Sequence, residues 1–255
     1  MNRIDQLFAS KQERILNIYC TAGFPGPDDT LPVMTALQAH GADMIELGMP
    51  FSDPLADGPV IQDSSTRALQ NGMSLKKLFG QLEGFRDRIH LPVILMGYLN
   101  PILQFGVEAF LEKCAAVGVD GLILPDLPMA EYEQEYKPLF EKYGLHLILL
   151  VTPETSDERV RQIDALSRGF VYAVSSSSTT GKDKDMSAQQ AYFERLKGLQ
   201  LKNPVLIGFG IRDKRTFDTA CAYSNGAIIG TAFIRAMEHS KDIDATVQQF
   251  IQTIR

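Results

Sequence analysis

Short apolar runs alternate with helix-forming stretches from residue 15 onward, and this alternation constrains the fold more than any other feature of the chain. The runs are 15–19 (ILNIY), 44–47 (MIEL), 93–98 (VILMGY), 121–125 (GLILP), 146–151 (HLILLV), 170–175 (FVYAVS), 205–209 (VLIGF) and 227–230 (AIIG), eight in all. Most are continuous rather than alternating in polarity, the pattern of parallel strands covered on both faces. The stretches between them repeat apolar residues at three- and four-residue steps. In one, Val107, Phe110, Leu111, Cys114 and Val117 form the stripe and Gly118 closes the helix; another opens on Ser156 with an acidic turn and closes at Gly169. Similar helices are expected over 28–40, 74–88, 131–143, 189–200 and 212–223, with a last one from about 231. Residues 2–10 read as an extra helix capping the barrel bottom.

Eight strand–helix units in 255 residues average about 32 residues each, the size of a βα repeat. Right-handed crossovers of this kind build either an open doubly wound sheet or a closed barrel. The count of eight favours closure, and Gly23 and Gly26 after the first strand lack the spacing of a dinucleotide-binding turn. The expected architecture is therefore α/β: a single (β/α)8 barrel domain over 1–255 with an added N-terminal helix. A hydrophobic fraction of 45% is ample for its core.

Charge and cysteine usage narrow the function classes. Thirty-one acidic against 25 basic residues, without a basic cluster, argue against a nucleic-acid or membrane surface. No apolar run is long enough to span a bilayer, and the first 14 residues lack a signal-peptide core. Cys20, Cys114 and Cys221 are scattered, as reduced thiols in a cytoplasmic protein would be. His40, His90, His146 and His239 form no pair at ligand spacing, so no metal site is expected.

Sites in such barrels sit on the loops at the C-terminal strand ends. The longest loop follows the second strand, 46–65 (ELGMPFSDPLADGPVIQDSS), and carries Glu46 and Asp57. Side-chain alternation puts Glu46 on the face of Met44 and Gly48, opposite Ile45 and Leu47. If the aliphatic pair meets the helices, Glu46 points into the barrel mouth, where apolar surroundings raise its pKa into a range suited to proton transfer. An ion pair at the rim is the other reading of Glu46. Asp57 reads equally as the acid of an Asp-Gly turn, and Asp53 before Pro54 as a turn residue. Glycines cluster after the last three strands: Gly181, then Gly208 and Gly210, then Gly230 followed by Thr231. Such loops either make tight turns or bring backbone N–H groups to a phosphate.

The segment 46–62 (ELGMPFSDPLADGPVIQ) resembles the signature of the tryptophan synthase alpha chain family, and the resemblance extends over essentially the whole chain. Supporting matches are 121–128 (GLILPDLP), 207–211 (IGFGI) and 230–233 (GTAF). The resemblance implies a TIM barrel that cleaves indole-3-glycerol phosphate to indole and glyceraldehyde 3-phosphate, a lyase reaction of tryptophan biosynthesis. It implies Glu46 as general acid and base and Asp57 as the partner of the indole nitrogen. It places the phosphate on Gly181, Gly210, Gly230 and Thr231, with Tyr172 and Phe209 near the substrate. No cofactor is implied in this chain; pyridoxal phosphate would belong to a partner beta chain, met through Asp126 and the 50–60 loop in an α2β2 tetramer.

The chain departs from the family pattern after the sixth strand. That loop reads 175–185 (SSSSTTGKDKD), with Ser176 and Ser178 where a glycine and an arginine are usual. Thr180, whose hydroxyl would meet Asp57 on loop closure, is kept, and Thr231 replaces a commoner serine. A catalytically silent, phosphate-ligand-binding regulatory subunit is the alternative reading, favoured by the serine-rich loop and opposed by the retained carboxylates.

Overall fold

The computed structural model describes residues 1–175, 186–208 and 210–255. Its strands are β1 (Ile15–Thr21), β2 (Met44–Gly48), β3 (Val93–Met96), β4 (Gly121–Ile123), β5 (His146–Val151), β6 (Val171–Val174), β7 (Val205–Gly208) and β8 (Gly226–Ile229). They close into a parallel barrel in chain order, with β8 returning to β1, as the count of eight predicts. The strands are buried almost throughout because side chains face a filled barrel interior on one side and the helical layer on the other.

The helices are α1 (Arg3–Ser10), α2 (Thr30–His40), α3 (Pro59–Gln70), α4 (Leu75–Gln81), α5 (Leu99–Phe105), α6 (Val107–Val117), α7 (Met129–Glu131), α8 (Lys137–Tyr143), α9 (Asp157–Leu166), α10 (Met186–Gly198), α11 (Lys214–Tyr223), α12 (Thr231–Met237) and α13 (Ile243–Ile254). Several differ from the sequence expectation. The second half of the long loop after β2 is already helix: Pro59 sits at the first helical position, where its fixed φ costs nothing, and α3 buries Ile61, Ser64, Ser65 and Ala68. Strand β3 stops at Met96, two residues short of the run read from sequence, and α5 follows at Leu99, whose N–H donates to both Asp126 carboxylate oxygens at 3.0 Å. The stretch 74–88 divides at Gly84, whose φ of 69° starts a short turn over Phe85–Asp87. A wide helical turn over Tyr132–Tyr136 separates α7 from α8. The last helix is two, because Asp242 starts α13 afresh by accepting the Ala245 N–H.

Helix α1 closes the N-terminal end of the barrel, as expected of an added cap. Ile4 is fully buried against Gly121 and Gly169, and Asn2 donates to the Asp120 carbonyl oxygen at 2.7 Å. Asp120, only 3% exposed, accepts from Arg3, from Arg86 and from the Val93 N–H, tying α1, β3 and the entry to β4 together. Removing its carboxylate leaves a half-buried guanidinium without its counter-charge. Asp120→Ala is expected to destabilise the fold by about 3–5 kcal/mol, read as a lowered urea midpoint; a midpoint unchanged from the parent would show that the network carries no stability.

Candidate active site

Register decides what the barrel mouth contains. Tyr19 of β1 lies beside Glu46 of β2, and Glu46 beside Ile94 of β3. Glu46 is 1% exposed and lines a cavity of about 410 Å³ at the C-terminal end of the barrel, so it points inward, and among the described residues it has no ion-pair partner. Burial pushes its carboxyl up to about 8; a hydrogen bond from Asn17 Nδ2 to Oε2 at 3.0 Å opposes the shift, and Asp57 adds a smaller upward push.

Asp57 lines the same cavity from the loop between β2 and α3. Its N–H donates to the Pro54 carbonyl at 3.0 Å, closing a Pro54–Asp57 turn. The Asp-Gly turn read from sequence does not form, because Gly58 has a φ of −75° and caps α3 without a side-chain bond from Asp57. Tyr98, at the exit of β3, pins the carboxylate: its hydroxyl accepts the Ala56 N–H at 3.0 Å and donates to Asp57 Oδ2 at 3.0 Å. Its ring packs on Phe51 at 5.2 Å between centroids, which holds the start of the same loop. Burial raises Asp57 to about 6, and the Tyr98 hydrogen bond limits the rise. Asp53 is exposed and accepts from Ser52, the turn role expected of it.

The same cavity has apolar lining from Met96, Ile61 and Ile228, joined by the rings of Tyr19 and Tyr172. Both tyrosines are buried, and each lies over a glycine of the neighbouring wall. A Cβ at Gly48 would collide with the Tyr19 ring, and one at Gly208 with the Tyr172 ring. These two strand glycines therefore serve to make room for aromatic walls. The cavity is lined as well by Gly210, Gly230 and Thr231, with Gly210 at a φ of 77° that favours glycine.

Of the residues expected from sequence, Glu46, Asp57, Tyr172, Gly210, Gly230 and Thr231 therefore line one cavity. Thr180, Gly181 and Phe209 lie outside the described residues. Sequence reasoning missed Tyr98, Asn17 and two arginines at the cavity's edge, Arg212 and Arg235. Arg212 directly follows the 207–211 motif, and Arg235 stands four residues after Thr231 on one helix face, positions close enough to the glycine motifs to have been found from sequence. Cys20 is buried and its thiol is pushed up to about 12, so it is not a nucleophile. Among the described residues no group of three or more His, Cys, Asp or Glu side chains is placed to hold a metal, and no helix is long and apolar enough to cross a membrane.

Two carboxyl groups with separated pKa values, facing one apolar cavity at the C-terminal end of a (β/α)8 barrel, define an acid–base enzyme of the TIM-barrel class. Comparison with known proteins gives the family. The profile of the tryptophan synthase alpha chain family matches residues 6–255. The chain is 52% identical over its full length to the complete tryptophan synthase alpha chain of Flavobacterium johnsoniae, and 50% identical, again over both full lengths, to that of Parabacteroides distasonis. Among solved structures it resembles the alpha chain from Legionella pneumophila, with a TM-score of 0.87 at 35% identity over 100% of this chain and 96% of that one. It also resembles a chain of tryptophan synthase from M. tuberculosis in its aminoacrylate-bound form, with a TM-score of 0.86 at 31% identity over the whole of both chains. This chain belongs to the tryptophan synthase alpha chain family.

The raised carboxyls also set how stability responds to pH. Glu46 keeps its proton to about 8 when folded, against an ordinary value of 4.5, so between these values the folded chain binds more protons than the unfolded one and stability falls as pH rises. Glu46→Gln cannot ionise and loses this contribution. Its urea midpoint is expected to exceed the parent's at pH 8, with the difference shrinking toward pH 4.5; a difference independent of pH would contradict the buried, proton-retaining Glu46.

Proposed function

We propose that this chain cleaves indole-3-glycerol phosphate to indole and glyceraldehyde 3-phosphate, with Glu46 as the proton shuttle and Asp57 as the counter-charge to the indole nitrogen. The observation that carries the reading is the separation of two carboxyls in one cavity: near pH 7, Asp57 at about 6 is charged while Glu46 at about 8 holds its proton. Glu46 gives that proton to C3 of the indole, which becomes tetrahedral and leaves N1 cationic. A fixed anion at Asp57 stabilises this charge, and its Tyr98 hydrogen bond keeps it in place. The Glu46 carboxylate then takes the proton of the adjacent glycerol hydroxyl. The C–C bond breaks toward the ring, the side chain leaves as an aldehyde, and neutral indole forms. Glu46 ends protonated, as it began.

The apolar walls of Tyr19, Tyr172, Ile61, Met96 and Ile228 suit the indole. Backbone N–H groups around Gly210, Gly230 and Thr231 suit the phosphate, and Arg212 and Arg235 add positive charge to the same cavity lining. The family resemblance assigns Thr180, Gly181 and Phe209, which lie outside the described residues, to the same substrate. Family membership favours the lyase over a silent ligand-binding subunit.

A beta chain carrying pyridoxal phosphate would receive the indole, in an α2β2 assembly in the cytoplasm. The apolar exposure on the elements following β2 and β3 supports such a partner: Leu55 is 92% exposed in the loop that carries Asp57, and Leu103 and Phe105 are exposed on α5. A single barrel unit over 1–255 would form the α side of it.

Glu46→Gln is expected to lower indole release by at least about 10³-fold with substrate binding retained, and Asp57→Ala by about 10²–10³-fold. Indole formation followed with and without the beta chain measures both. Parent-like turnover in Glu46→Gln would refute the assignment. The kcat/KM profile of the parent is expected to be a bell with limbs near pH 6, from Asp57, and pH 8, from Glu46; a profile flat across that range would contradict the division of roles.

A further inference from the structure

Asn17 stands in the middle of β1, fully buried, beside Met44 of β2 and Ile228 of β8. Its amide nitrogen donates to Glu46 Oε2 at 3.0 Å, whereas its Oδ1 has no hydrogen-bond partner among the described residues. A buried amide with its carbonyl unmet is a liability that an aliphatic side chain of the same shape avoids. Its placement is therefore explained by what its N–H does. No other hydrogen bond reaches Glu46 from the described residues, so Oε2 is anchored and Oε1 is left as the oxygen for the cavity.

This matters because a neutral carboxylic acid has two different oxygens. One is a carbonyl acceptor, and the other carries the proton. An N–H fixed on Oε2 is repelled by a proton there and attracted by a carbonyl. We propose that Asn17 is a positioning residue that makes Oε2 of Glu46 the carbonyl oxygen and so assigns the transferable proton to Oε1, on the cavity side. The inference rests on Glu46 being the acid of the proposed reaction and adds how that acid is aimed.

The other titratable groups facing Glu46 are Asp57 from the loop after β2, Tyr19 and Cys20 from β1, and Tyr172 from β6. Burial raises both tyrosines, and Cys20 to about 12, so they stay neutral in the working range and Asp57 is the charged neighbour among them. The Asn17 hydrogen bond favours the carboxylate over the acid, so its loss moves the titration of Glu46 upward.

Asn17→Leu keeps the size and removes the donor. In the full chain, the infrared C=O stretch of protonated Glu46, identified by its absence in Glu46→Gln, is expected at a hydrogen-bonded frequency in the parent and at a higher one in Asn17→Leu. The alkaline limb of kcat/KM is expected to rise by about one pH unit with the acid limb unmoved. A loss of kcat of about tenfold at little change in KM should accompany it. A role in filling the barrel alone would shift neither the stretch nor the limb. Should Asn17→Leu not fold, Asn17→Ser, whose hydroxyl is too short to reach Oε2, is expected to show the same two shifts. Unchanged stretch and limb, with Glu46→Gln inactive, would overturn the role of Asn17 alone. An active Glu46→Gln would instead overturn the reading of Glu46 on which it rests.

Discussion

The site depends on one geometric constraint: in a closed parallel barrel every second side chain of a strand must go inward, and on β2 that residue is Glu46. Ile45 and Leu47 take the helix side, so the carboxyl cannot reach water without reversing the strand's apolar pattern. Burial then does the chemical work. A group 1% exposed among aliphatic and aromatic side chains is held in its neutral form, with the single amide of Asn17 as counterweight among the described residues. Fold and reactivity are in this sense one fact, because the packing that closes the barrel also stores the proton.

Asp57 is governed by a different logic. It sits on a loop, is less buried, and is fixed by a phenol that also ties down the loop through the Ala56 N–H. Its carboxylate therefore ionises before Glu46 releases its proton, and the cavity holds one anion and one acid at neutral pH. The walls between them rely on absence as much as presence. Gly48 and Gly208 give up side chains so that the Tyr19 and Tyr172 rings can pack against them.

The barrel was legible in the sequence because continuous apolar runs at a βα repeat length have few other uses. Strand parity left Glu46 either inward or in an ion pair at the rim, and the barrel register places it inward. The parts that were not legible share a cause. Helix α3 carries Gln62, Asp63, Ser64 and Ser65 near its start, a polar stretch that reads as loop until tertiary packing against the barrel buries two of its serines. The end of β3 gives way to α5 because Asp126, distant in sequence, receives the Leu99 N–H. Asn17 was visible as a lone polar residue inside an apolar run, yet only the register with β2 brings its amide to Glu46. Tyr98 was counted as strand, and its bond to a loop 41 residues earlier has no local signature.

The central claim, a carboxyl stored neutral inside the barrel mouth, is tested most directly by titrating the side chain itself. Carbon-13 NMR of protein labelled at the glutamate carboxyl carbons, with the Glu46 resonance assigned through the glutamine variant, reads its protonation without substrate or turnover. The account predicts a midpoint near 8. A midpoint at the ordinary glutamate value of about 4.5 would show a solvated carboxylate and contradict it.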